Sequence, residues 1–221
     1  MIEYEFRLDD GSEVRFSVDP RRTLPLVPAE RAPEWTRLSY HQCSDCPLRR
    51  EDHERCPPAL DVADIMTRFS SVLSHAQAEV TVRTPSRNIH RRVDVQTALH
   101  SLLGLVMATS GCPVLSELRP MAHLHLPFAT NEETAFRAAS FWLLRQYFLA
   151  QRGGEANFSL DGLKALYQRL QEVNRSFTER VRAAADKDAN LNAVVLLFSL
   201  SVLVSFTLED DLAPLRDLYG M

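Results

Sequence analysis

The run "AVVLLFSLSVLVSF" (residues 193–206) is the stretch that decides the fold. It is apolar on nearly every side, so a helix formed from it must be covered all round by other elements. It is also shorter than the ~20 apolar residues that span a bilayer. We therefore predict a central, buried core helix over residues 192–206, with the rest of the chain wrapped around it.

The segments before this run alternate between helical and strand patterns. Apolar residues recur at helical spacing from residue 58 onward, and Thr130 with Glu133 forms a capping-box pattern at the start of a long helix. Two pairs of alternating segments flank Asp9-Asp10-Gly11 and Pro85-Ser86, which is typical of β-hairpins. The prediction is an α+β, mainly α fold: a helical bundle around one buried apolar helix, with two small β-hairpins in the N-terminal half.

This pattern fits one domain over residues 1–221. Within it we expect an N-terminal β-hairpin and irregular segment (1–40), a cysteine-rich metal loop (41–58) and a mainly helical core (59–221). The chain has 221 residues, of which 45% are hydrophobic, so it is long and apolar enough to fold around a core.

The net charge and the first residues of the sequence indicate which partners and which cellular location to expect. The net charge is -4, which gives no global basic surface for nucleic acid. Of the 25 basic residues only Lys164 and Lys187 are lysines, a bias that indicates a GC-rich genome more than many anion sites. The acidic start "MIEYEFRLDD" lacks the pattern of a secretory signal. We expect a cytoplasmic protein without membrane or nucleic-acid contact, in which thiols stay reduced.

The segment "SYHQCSDCPLRREDHERCPPAL" (residues 39–60) holds three of the four cysteines. Cys43 and Cys46 form a C-x2-C pair, and His53 stands three residues before Cys56. Such spacing lets thiolates meet one ion from neighbouring turns. A metal clip would also order a long segment that is poor in regular pattern.

Three interpretations of these cysteines stay open. In the first, zinc binds Cys43, Cys46, Cys56 and His53 as a closed structural site. In the second, Cys112 from the distant "SGCP" turn is the fourth ligand, to zinc or to an iron–sulfur cluster, since Cys-Pro ends some iron–sulfur ligand runs. In the third, no metal binds and the thiols are packed. Zinc with the first ligand set is favoured.

Two further groups are candidates for chemistry. Cys112 precedes a predicted helix start, which lowers a thiol pKa, and His123 or His125 would serve as its base or co-ligand. The second group, a weak candidate for binding a phosphate or acidic ligand, is the arginines of the second hairpin: Arg83, Arg87, Arg91 and Arg92. For both groups a structural role is the favoured interpretation.

The segments "HQCSDCPL…CPPAL", "LLGLVMATSGCPVLSELRPMAHLHLPF" and "NEETAFRAASFWLLRQYF" together resemble an uncharacterised family of small bacterial proteins. The resemblance covers residues 35 to about 192. It implies a bacterial source and carries no assigned activity, so no catalytic residue follows from it.

The sequence thus favours a zinc-binding module that recognises a partner protein or a small ligand, and it is compatible with a homo-oligomer. The alternative is a thiol- or iron–sulfur-dependent redox protein that uses Cys112 with His123 or His125. Enzymatic activity is left open at this point.

Overall fold

A single antiparallel sheet of four strands occupies the N-terminal half of the computed structural model, which describes residues 1–183 and 188–220, the Arg31 side chain excepted. The strands are β1 (Ile2–Leu8), β2 (Glu13–Val18), β3 (Gln77–Thr84) and β4 (Arg87–Asp94), in the spatial order β2-β1-β3-β4. The prediction of two separate hairpins is therefore wrong, although the α+β class fits.

The two hairpins merge because their inner strands pair. Tyr4 stands opposite Val82 and Phe6 opposite Val80, and all four side chains are fully buried on one face. A two-stranded hairpin alone is marginally stable, and an unpaired strand edge leaves backbone groups without partners. Pairing of β1 with β3 removes two such edges and joins the apolar faces into one surface.

Helices follow and cover that surface. The described residues form α1 (Pro57–Arg68), α2 (Val95–Ala108), α3 (Arg119–His123), α4 (Asn131–Gln151), α5 (Asp161–Arg182), α6 (Asp188–Glu209) and α7 (Ala213–Arg216). Short 3-10 turns lie at Ala29–Arg31, Glu34–Thr36, Leu115–Leu118 and Asp217–Tyr219.

Helix starts follow from capping residues in the sequence. The predicted capping box at the start of α4 is confirmed, with the Thr130 hydroxyl accepting from the Glu133 amide and the Glu133 carboxylate accepting from the Thr130 amide. Asp94, the last residue of β4, accepts from the Thr97 amide at 2.8 Å and so begins α2 directly. This tight strand-to-helix junction sends α2 back across the sheet.

The helix that the others wrap is α2, a correction to the sequence-based prediction. Most α2 side chains are buried, and the helix contacts α1, α3 and α6. Helix α6 packs on α2, α4 and α5, but it leaves Val195, Leu203 and Phe206 exposed on its outer side.

Helix α6 is longer than the apolar run that predicts it. It has 22 residues and a mean hydropathy of 2.2 over its most apolar window, of which 33% is buried. By length and composition alone it is able to cross a membrane, although the core helices of soluble proteins reach the same values. The packing of α6 on three other helices agrees with a role in the core.

Candidate metal centre

The cysteine segment is a closed loop held at its base. The Leu38 amide donates to the Glu54 carbonyl at 2.9 Å, and the Cys56 amide donates to the Thr36 carbonyl at 2.8 Å. These two hydrogen bonds bring the ends of residues 36–56 side by side. The loop therefore leads directly into α1, whose N-cap is Cys56.

Within the loop, the C-x2-C pair forms a turn, in which the Cys46 amide donates to the Cys43 carbonyl at 3.2 Å. Both side chains are half-buried, and Cys43 packs against the core. Helix α5 holds this turn in place. The Ser44 hydroxyl donates to Glu172 at 2.9 Å, and the Ser176 hydroxyl, which donates to Glu172 as well, lowers the pKa of the Cys43 thiol.

The chain segments that carry the two other cysteines lie against each other. A methyl group added to Gly111, the residue before Cys112, would lie 3.6 Å from the Pro57 side chain, the residue after Cys56. Cys112 is buried and lies just before the 3-10 turn Leu115–Leu118. The fold thus brings a cysteine from beyond α2 against the cysteine loop.

Charge on the other thiols adds to a rise in pKa that burial dominates. Burial is the main cause that raises the pKa of Cys43 to about 12, and negative charge on Cys56, Cys46 and Cys112 raises it further. Burial likewise raises the pKa of Cys56 to about 11, with added repulsion from Cys112 and Cys46. The thiols are therefore protonated at neutral pH unless a cation compensates their charge.

Backbone amides favour the thiolate form at two of the cysteines. The N–H groups of Leu115 and Val114 lower the pKa of Cys112, and the N–H of Ala59 lowers that of Cys56, but burial outweighs them in both cases. The pKa of Cys112 is thus raised, opposite to the shift expected for a reactive thiol at a helix start. A bound cation would reverse this balance, because a coordinated thiol is deprotonated outright.

Arg180 of α5 is a fixed cation behind this cluster and was missed by the sequence reasoning. Its side chain is 2% exposed, and its Nη1 donates to the Arg37 carbonyl at 2.8 Å and to the Trp35 carbonyl. Its charge lowers the pKa of Cys56. The one available signal was its position on the buried stripe of α5, three residues after Phe177, where a charge is unusual.

The structure separates the predicted ligands into two kinds. Cys112 is buried and Cys43, Cys46 and Cys56 are half-buried, whereas His53 is exposed. In residues 1–183 and 188–220, no set of three or more His, Cys, Asp or Glu side chains has the spacing of a coordination shell. The cysteines thus lie in one region of the fold, and their side chains do not form a coordination shell within the described residues.

The predicted histidine partners of Cys112 are engaged in other ways. His125 Nε2 lies 2.6 Å from the Tyr4 hydroxyl, which is 2.8 Å from the Ser101 hydroxyl. Burial, helped by the charge of Arg137, lowers the pKa of His125 to about 3, so the ring is neutral. His123 is exposed at the end of α3. The hydrogen bond of His125 thus ties the α3–α4 loop to the sheet.

The hairpin arginines lie on β3 and β4, and three of the four contact other side chains. Arg83 pairs with Glu5 and Arg92 with Asp9, each at 2.8 Å. Arg91 lies over the Phe128 ring at 5.8 Å, and Arg87 is exposed at the turn. These contacts compensate two of the four charges and leave a surface that is less basic than the sequence indicates.

Taken with the sheet, these features define the class: an α+β protein whose helices cover one face of a four-stranded antiparallel sheet, with four clustered cysteines beside α1 and α5. The chain belongs to the family described as Domain of unknown function (DUF6901), whose model matches residues 2–220. This match is wider than the resemblance found in the sequence. No curated protein and no solved structure matches the chain.

Proposed function

We propose that this chain is a zinc-binding module in which Cys43, Cys46, Cys56 and Cys112 hold one structural Zn²⁺ that fastens the cysteine loop to the helical core. The observation that carries the proposal is the contact between the two Cys-Pro segments, Gly111 against Pro57, which puts the turn that holds Cys112 beside the loop that holds Cys43, Cys46 and Cys56. Four thiolates are a common tetrahedral ligand set for structural zinc.

The surroundings suit such a site. Zinc with four thiolates carries a net negative charge, and the Arg180 guanidinium with the amides near Cys56 and Cys112 would partly compensate it. Expected localisation in a reducing compartment would keep the thiols available. A C-x2-C turn paired with distant cysteines is typical of zinc sites more than of ferredoxin runs.

The first experiment is elemental analysis and absorption spectroscopy of protein purified without air. We expect about one zinc per chain and no visible absorption, because Zn²⁺ has a filled d shell. A brown protein with a broad band near ~400 nm, from thiolate-to-iron charge transfer, would replace zinc by an iron–sulfur cluster. Protein without metal that binds no added Zn²⁺ would refute the proposal.

The second experiment assigns the fourth ligand with a matched pair of variants, Cys112→Ser and His53→Ala. We expect Cys112→Ser to lose zinc and melt at lower temperature, while His53→Ala keeps both properties. The reverse outcome would restore the ligand set with His53. As a check that does not depend on the stability of Cys112→Ser, cobalt-loaded wild type and His53→Ala should share one tetrahedral spectrum.

A further inference from the structure

A second site lies in the helical layer, apart from the cysteines. A partly open cavity of about 160 Å³ is lined by residues of α2, α3, α4, α5 and α6. Its walls are mostly apolar, with Leu105, Met121, Phe128, Leu170 and Leu197 among them. An apolar cavity of roughly 150 Å³ in another protein binds benzene, so this volume suits a body of one ring.

A single cation lines the described wall of this cavity. Arg137 of α4 is half-buried, and its Nη2 donates to the carbonyls of Met121 at 2.9 Å and Leu124 at 2.8 Å. Among residues 1–183 and 188–220, no carboxylate lies within ion-pair distance of it, and its Nε and Nη1 make no hydrogen bond. The cation is thus held in place by two carbonyls and keeps donors for an anion.

A hydrogen-bond donor lines the same cavity as this cation. Tyr167 of α5 is 4% exposed, lines the cavity, and its hydroxyl bonds no group in the described part of the chain. Burial raises its pKa strongly and the Arg137 charge opposes this only in part, so the hydroxyl keeps its proton. Arginine with a protonated tyrosine offers charge-assisted and neutral donors, which together suit a carboxylate.

One residue of the cavity wall carries a buried nitrogen without a partner among the described residues. His100 of α2 lines the cavity, and its Nδ1 is buried and unbonded within the described residues. Burial lowers the pKa of His100 to about 4, opposed by the facing Ala193 carbonyl, so the ring is neutral. The neutral His100 ring thus adds no positive charge to the cavity wall.

We propose that this cavity binds a small carboxylic acid whose body is about one aromatic ring, with its carboxylate on Arg137 and Tyr167 and its ring among the leucines. The apolar walls supply affinity and the two polar side chains fix orientation, as in most small-ligand sites. The proposal is independent of the metal, because it uses a different part of the helical layer.

The test uses the full-length protein and benzoate as the probe, with benzamide as the uncharged analogue of the same shape. In calorimetric titrations we expect benzoate to bind at least about tenfold more tightly than benzamide, because only benzoate pairs with Arg137. Acetate, which lacks the ring, should bind more weakly than benzoate. Equal affinity for benzoate and benzamide, or no binding of benzoate, would overturn the proposal.

Variants separate binding from folding. Tyr167→Phe keeps the ring and should weaken the binding of benzoate by about three- to tenfold, a loss of affinity typical of one hydrogen bond. Arg137→Met should remove the preference for benzoate over benzamide. The matched control is Arg145→Met, on the same helix, since Arg145 pairs with Glu117 at 2.6 Å on the surface. If Arg145→Met weakens the binding of benzoate as much as Tyr167→Phe does, benzoate does not bind in this cavity.

Discussion

At the scale of single residues, Asp61 of α1 is a buried anion that holds an irregular segment. Its Oδ2 accepts from Arg22 Nη2 at 2.6 Å, and its Oδ1 accepts from the Leu26 amide at 2.7 Å. Side-chain exposure is 9% for Arg22 and 2% for Asp61. Burial is the main cause that raises the pKa of Asp61, although Arg22 opposes it. The pair therefore fixes the chain after β2 against α1.

We predict that Asp61→Asn lowers the free energy of unfolding by about 3–5 kcal/mol, because it leaves the Arg22 charge buried without its partner. The control is Asp64→Asn on the same helix, where the pair with Arg68 is about half exposed. That variant should lose less than about 1 kcal/mol. Urea unfolding of the three proteins measures the difference, and equal losses in the two variants would contradict it.

Two neutral histidines give the protein a predicted sensitivity to acid. The pKa of His100 is lowered to about 4 and that of His125 to about 3, in both cases mainly by burial. Below pH ~6.5 the unfolded chain therefore binds protons that the folded chain does not. The contribution of these two histidines to the free energy of unfolding is therefore present above pH ~6.5. It is lost as the pH falls towards their folded-state pKa values of about 4 and about 3.

We expect each of these histidines to remove up to about 2 kcal/mol of stability between pH 7 and pH 5. His125→Gln, which does not titrate, should lose that much less over the same interval in urea unfolding. His123→Gln, at an exposed position two residues earlier, serves as the control and should follow wild type. A His125→Gln slope that equals the wild-type slope would contradict the assigned burial.

Single residues also show how far the site was predictable. The spacing of Cys43, Cys46 and Cys56 marked the loop, because those cysteines are close in sequence. Arg137 and Tyr167 have no local signal, since each is one polar residue on an amphipathic helix, and the signal of Arg180 is limited to its position on the buried stripe of α5. Their roles arise from which helix faces pack together, and periodicity alone does not specify that.

At the scale of elements, strand periodicity predicted β1 to β4 but not their joining. Alternation shows that Tyr4 and Phe6 share a face, and that Val80 and Val82 share another. It does not show that the two faces are one, because the pairing partners lie far apart in the sequence. The apolar character of α6 likewise predicted a helix, while the helix most enclosed by its neighbours is α2.

Substitution of two helical glycines by alanine should change stability in opposite directions. A methyl group on Gly162 of α5 would overlap the Trp142 ring of α4, whose Nε1 donates to the Ser159 carbonyl at 3.1 Å. A methyl group on Gly104 of α2 meets only Leu197, at 3.7 Å. We expect Gly162→Ala to cost about 1–3 kcal/mol.

Gly104→Ala should instead gain up to about 1 kcal/mol, because alanine is the better helix former. Thermal unfolding shows whether each variant is more or less stable than the wild type. A change in tryptophan fluorescence should accompany only Gly162→Ala. Stabilisation by Gly162→Ala would mean that Trp142 does not lie over that glycine.

At the scale of the whole molecule, the proposed zinc acts as a fastener between the loop and the core. We predict that removal of the metal with a chelator lowers the melting temperature and speeds trypsin cleavage after Arg49 and Arg50, which are exposed in the loop. Cleavage after Arg152, which is exposed beyond α4 and far from the cysteines in sequence, is the control.

Cleavage at Arg152 should keep its rate while cleavage in the loop accelerates. Mass spectrometry of the early fragments distinguishes the two sites. Acceleration at both would indicate general loosening of the fold, and no acceleration at Arg49 or Arg50 would show that the metal does not order the loop.

The strand order β2-β1-β3-β4 also has a consequence for synthesis. The first hairpin emerges from the ribosome before β3 has been synthesised. Its strand β1 pairs with β3, for example Glu3 with Arg83, so this pairing has to wait. At typical rates of translation the inner edge of β1 therefore waits on the order of ten seconds for its partner. Until then it presents the apolar Tyr4 and Phe6 side chains to the cell, so chaperone capture of the nascent chain should end once β3 has emerged.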